Sequence, residues 1–135
     1  MALIINDELI RKCGGGSGEY WFSYSTQKVK NIKDLDTYNR PEDMSQTEYF
    51  LSINVIPFLS VPSEEIVRHF VEEKANKKLV NALKKVDSGE YMDTFWKYFD
   101  AYEELKDGFE DYVQVYVKNK VIDWCNENNV QYVIE

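Results

Sequence analysis

The sequence predicts an α+β domain: a small antiparallel sheet, formed by an N-terminal hairpin plus one or two further strands, packed on one face by a single layer of three or four helices. Three observations carry that expectation. The stretch Glu19-Tyr20-Trp21-Phe22-Ser23-Tyr24 is followed, after three polar residues, by Lys28-Val29-Lys30-Asn31-Ile32, which is hairpin spacing. Apolar residues then recur at helical spacing over residues 63–86 and again from Tyr91 to Trp124. A polar stop at residues 126–129 hands the chain to Val130-Gln131-Tyr132-Val133-Ile134, a strand-like end. With 135 residues, 44% hydrophobic and 15% aromatic, the chain has enough apolar side chains for one core, so residues 1–135 read as one domain.

Asn6 or Asp7 caps a predicted short helix through Lys12, with Leu3, Leu9, Ile10 and Cys13 as its apolar contacts. Gly14-Gly15-Gly16-Ser17-Gly18 ends it. A phosphate-cradling glycine loop follows a strand and opens a helix, whereas this one follows a helix and leads into a strand, so it reads as a connector. In the hairpin, Tyr20, Phe22 and Tyr24 share one face and Trp21 takes the other; lysines flank Val29, so packing on one face only is expected. Residues 33–48 show no sustained period and read as a mobile polar loop. Alternation of Leu51, Ile53 and Val55 predicts a strand over residues 50–56, with Pro57 ending it or marking a sheet edge.

Pro62-Ser63-Glu64-Glu65 starts a helix with Ser63 as expected N-cap, and Ile66, Val67, Phe70 and Val71 form its buried stripe. The stripe resumes at Leu79, Val80, Leu83 and Val86, which allows one long helix or two joined near Asn76. Helical projection of residues 91–102 puts Tyr91, Phe95, Tyr98, Phe99 and Tyr102 on one side and Trp96 off its edge. That run is either core or, through Tyr91, Trp96 and Tyr102, an exposed patch that anchors a partner. Lys106-Asp107-Gly108 predicts a break before a last helix whose stripe is Phe109, Tyr112, Val113, Tyr116, Val117, Val121 and Trp124. Lys120 falls within that stripe and should lay its stem on apolar neighbours with the ammonium in water. The terminal strand is expected at a sheet edge, as a possible fourth strand.

Charge is unevenly placed. Residues 1–86 carry 12 acids and 12 bases, residues 87–135 carry 12 acids and 4 bases, and the second part therefore supplies the whole net charge of −8. Such a field repels phosphate backbones and favours a basic protein partner. The expected contact surface is Glu103, Glu104, Asp107, Glu110 and Asp111. A nucleic-acid reading would have to use Lys28, Lys30 and Lys33 or the lysines of residues 74–85.

His69 stands alone as the single histidine, and the sequence contains no paired CxxC, no HExxH and no nucleophile elbow. Accordingly no catalytic residue, metal ligand or cofactor is assigned, and a carboxylate- or metal-dependent enzyme is the alternative reading. Cys13 and Cys125 are expected as free, buried thiols. No apolar run approaches the roughly 18 residues of a membrane span, so a cytoplasmic, unanchored protein is expected.

The Ile56-Pro57 to Pro62-Ser63 approach to a helix, Lys78-Leu79-Val80-Asn81-Ala82-Leu83, Gly89 followed by aromatics, Phe109-x-x-Tyr112 and Trp124-Cys125-Asn126-Glu127-Asn128-Asn129-Val130 occur in that order. In this the chain resembles a bacterial group, uncharacterised protein family 0158. Relatives tend to carry an Arg/Gly-rich stretch where this chain has Lys84-Lys85-Val86-Asp87-Ser88-Gly89-Glu90, so no phosphate-binding role carries over. The resemblance implies one compact domain and transfers no catalytic residue.

Overall fold

The computed structural model describes residues 2–14 and 18–135; Gly15, Gly16 and Ser17 of the expected connector lie outside them. In chain order the elements are β1 (Leu3–Ile5), α1 (Asp7–Cys13), β2 (Tyr20–Ser23), β3 (Lys28–Asn31), α2 (Gln46–Ser52), β4 (Val55–Pro57), α3 (Ser63–Lys74), α4 (Lys77–Lys84), α5 (Tyr91–Ala101), α6 (Glu103–Glu127) and β5 (Tyr132–Ile134). The class is α+β as the sequence predicts, with β3-β2-β4 forming the antiparallel sheet. Phe22 of β2 stands opposite Val29 on one side and Ile56 on the other.

The terminal strand is not a fourth member of that sheet. β5 pairs in parallel with β1, Leu3 opposite Tyr132 and Ile5 opposite Ile134; Leu3 is a strand residue that shares its buried cluster with Leu9, Ile10 and Cys13. A parallel pair between the two ends of a chain leaves no turn signal in the sequence, and three residues are too few to show a period.

Residues 46–52 are helical where a loop was expected through residue 48 and a strand from residue 50. Ser45 Oγ accepts the Glu48 N–H at 3.1 Å and the Glu48 carboxylate accepts the Ser45 N–H at 3.3 Å, a reciprocal capping box that starts α2. Asn54, at φ 61°, then turns the chain into β4. Leu51 and Ile53, whose alternation suggested a strand, are exposed, so their spacing did not mark a buried face. Ser45-x-x-Glu48 was the better signal. Pro57 does end β4, at the sheet edge, where a missing N–H removes no ladder bond.

Both faces of the hairpin are covered, contrary to the expectation of one. Phe22 is buried with Leu9, Ile10, Val117 and Val121 under α1 and α6, whereas Trp21 is buried on the opposite side against Phe50 of α2, ring centroids 5.1 Å apart. Helices therefore flank the sheet on two sides and not as a single layer. The described residues form six α-helices. Asn76 Oδ1 accepts the Leu79 N–H at 2.9 Å and so caps α4 as a separate helix, one of the two arrangements the sequence allowed. Ser63 is the first residue of α3, with Pro62 in the position before it.

The break expected at Lys106-Asp107-Gly108 falls instead at Tyr102, whose extended backbone (φ −123°, ψ 111°) separates α5 from α6. Glycine inside a helix costs only about 1 kcal/mol relative to alanine, less than burying Leu105 before it and Phe109 after it contributes. The 25 residues of α6 serve two cores. Leu105 and Phe109 pack with Val67, Phe70 and Phe95 of α3 and α5, while Val117, Val121 and Cys125 pack with α1 and the sheet. The buried face thus rotates around the helix between its two halves.

Candidate functional site

That rotation positions the acidic residues. Positions 103, 107, 110/111, 114, 117, 121 and 125 are spaced by three or four and form one line along α6. Under α1 and the sheet the line is Val117, Val121 and Cys125, fully buried; before α1 reaches it the line is Glu103, Asp107, Glu110 and Asp111, all exposed. Gln114, half-buried, marks the transition. One helix line is therefore core where another element covers it and a carboxylate ledge where none does.

Glu103, Asp107, Glu110 and Asp111 form no ion pair among the described residues, where the pairs are Lys12–Glu8, Arg68–Glu64 and Lys120–Glu65. Glu104 is turned aside: its Oε1 accepts from Asn76 Nδ2 at 3.3 Å. A cleft of about 550 Å³ between α1 and α6 is lined by Asp7, Arg11, Glu110, Asp111 and Gln114. Beside it runs a groove of about 430 Å³ between α5 and α6, floored by Trp96, Phe99, Phe109 and Val113 and walled by Lys106, Glu110 and Gln114. Glu110 and Gln114 belong to both.

Of the expected aromatic patch, only Trp96 reaches this surface, at 39% exposure and packed edge-on against Phe99 and Phe109 (centroids 5.2 and 5.8 Å). Tyr91 lies apart between α3 and α4, with the Arg68 guanidinium 4.0 Å over its ring. Burial raises its hydroxyl pKa while that guanidinium lowers it. Tyr102 stacks on Tyr98 and joins the α3–α5 core. Seven positions that the sequence did not single out as contact residues, Asp7, Arg11, Phe99, Lys106, Phe109, Val113 and Gln114, complete the surface. Phe109 to Val113 at i, i+4, continuing the stripe beside Glu110, was the available signal.

The tyrosines of α6 look the other way, toward α3. The Tyr116 hydroxyl donates to Glu65 Oε2 at 2.7 Å, and its pKa is raised by burial and then by that bond. Burial, with Glu73 nearby, pushes the Tyr112 hydroxyl up to about 12. Lys120 meets the expectation: nearly half exposed, its Nζ sits 3.8 Å from Glu65 and 5.5 Å above the Tyr116 ring. His69 is exposed at the edge of α3, its ring 5.2 Å from that of Tyr116.

Lys28, Lys30 and Lys33, and the lysines of α3 and α4, are exposed. Among the described residues no group of three or more His, Cys, Asp or Glu is placed to hold a metal ion, and no helix is long and apolar enough to cross a membrane.

No curated protein and no solved structure matches the chain. The sequence model of the uncharacterised protein family UPF0158 matches residues 24–135, which include α5, α6 and the groove between them. The chain belongs to that family.

Proposed function

We propose that this protein is a non-enzymatic cytoplasmic regulatory or adaptor module that binds a basic protein partner through the α5–α6 surface; an inhibitor of a basic protein is one form of this. One observation carries the reading: Glu110 and Gln114 wall both the aromatic groove and the acidic cleft. A single segment carrying an apolar side chain flanked by Lys or Arg could seat the first on Trp96, Phe99 and Phe109 and set the second against Glu110, Asp111 and Asp107. The anchor supplies contact area and the carboxylates supply steering and register. Ion pairs at such an exposed rim act mainly on the association rate, which ionic strength screens.

The test is capture on the immobilised protein in parallel with an E110K/D111K variant. Partners retained at low salt should be basic, should be lost from the variant and should fall away as salt rises. Partners held equally by both proteins and unchanged at high salt would overturn the reading.

A further inference from the structure

The β1–β5 sheet is incomplete as it stands. Two parallel strands of three residues are less than a sheet usually needs, and one edge of each is bare. In the β1 pairing the Leu3 N–H donates to the Gln131 carbonyl at 2.9 Å and the Glu135 N–H to the Ile5 carbonyl at 2.9 Å, so residue 133 of β5 and its flanking residues 131 and 135 turn their main chain toward β1. The main-chain groups of Tyr132 and Ile134 consequently face the opposite way. They have no main-chain partner among the described residues.

Apolar side chains gather at the same place. Among the described residues eight large hydrophobics are exposed, and Ile4 (48%), Val133 (51%), Ile134 (48%) and Val115 (58%) lie on or against this sheet. Ile4 and Val133 are register partners on its outer face.

We infer that the free edge of β5 pairs antiparallel with β5 of a second copy of this chain, joining two β1–β5 pairs into one four-stranded sheet across a two-fold axis at Val133. The strand is self-complementary in that register. Tyr132 opposes Ile134 of the other copy and exchanges both main-chain hydrogen bonds with it, and the two-fold repeats the exchange, so all four outward groups on each strand are satisfied. The side chains agree: Tyr132 beside an isoleucine is a favoured aromatic–β-branched pair, and Val133 meets Val133 at the closer, non-hydrogen-bonded position. Gln131 faces the Glu135 carboxylate, an amide donor against an acceptor. No like charges oppose each other between residues 131 and 135.

The net charge of −8 does not forbid this contact. Between residues 131 and 135 the strand carries one charged side chain, Glu135, and it faces Gln131 of the other copy across the two-fold.

The experiment is sedimentation equilibrium on the full chain from low micromolar to near-millimolar concentration, with Val133→Glu and Val133→Lys variants. Val133 is half exposed, so neither change disturbs the monomer core; identical melting curves at low concentration verify that. The wild-type mass should rise from 16.0 kDa toward twice that value. Each variant alone, setting like charges together at the two-fold, should remain monomeric, and an equimolar mixture of the two should regain the dimer. A wild-type chain monomeric throughout would overturn the inference, and so would a dimer that survives Val133→Glu.

Discussion

Trp21 shows how one residue decides what a hairpin can pack against. Alternation alone puts it on the side away from Phe22, and only its contacts with Phe50 and Val55 show that this side is a second buried face. Trp21→Ala should therefore cost about 3–5 kcal/mol, the range for emptying a large buried aromatic site, measured by urea denaturation; a loss under 1 kcal/mol would mean that α2 does not seal this face. The two thiols give a pH signature. Burial pushes Cys13 and Cys125 from 9.0 up to about 11, because a thiolate is poorly solvated beside Leu9, Val121 and Phe22. The folded state therefore holds these protons more tightly than the unfolded one. Their contribution is fully present below pH 9 and is lost as pH rises toward 11, by about 2–3 kcal/mol for each thiol. Melting between pH 8 and 10.5 should show this slope, and the Cys13→Ala/Cys125→Ala chain should lose that part of it. A thiol reagent at pH 8 should modify neither cysteine until the protein unfolds.

At the scale of elements, α6 is the instructive case. Its acidic and apolar lines coincide, so a single stripe along the sequence describes neither half well, and the same line changes role where α1 arrives. Gly108 sits on the exposed side of this helix, and a Cβ there would meet nothing within 4 Å among the described residues. Gly108→Ala should stabilise the protein by about 0.5–1 kcal/mol, raising Tm by a few degrees, because alanine loses less backbone freedom in a helix. An unchanged or lowered Tm would indicate that α6 is not continuous there. The α3, α4 and α5 stripes were legible because each element is long enough for a 3.6-residue period to repeat. β1 and α2 were not, the one being specified by a distant partner and the other by a cap, and β5 was legible as a strand but assigned to the other sheet.

On the scale of the whole molecule, the two ends of the chain close on each other. β1 pairs with β5, the Tyr24 hydroxyl donates to the Asn128 carbonyl at 2.9 Å, and Val130 is buried in the cluster formed by α1, β2 and α6. A chain ending at Lys120 would lose Val121, Trp124, Cys125, Val130 and β5 together, and should show no cooperative melting by circular dichroism; a sharp transition in that fragment would contradict this architecture. The surface follows the same logic. Sequence identified the five acids and the aromatic run as separate features, and folding brought Glu110 beside Trp96 while sending Tyr91 and Tyr102 elsewhere.

By itself the sequence determined the α+β class, the hairpin, the helices that begin α3, α4 and α5, two buried free thiols, and a C-terminal portion carrying all the net negative charge. These depend on composition and on short-range periodicity, which are written in consecutive residues. Tertiary structure alone decided the parallel β1–β5 pairing, the second covered face of the hairpin, the continuity of α6 through Gly108, and which acids border an aromatic groove. Each depends on a contact between residues far apart in the chain, whose burial energy outweighs the local preference of either partner.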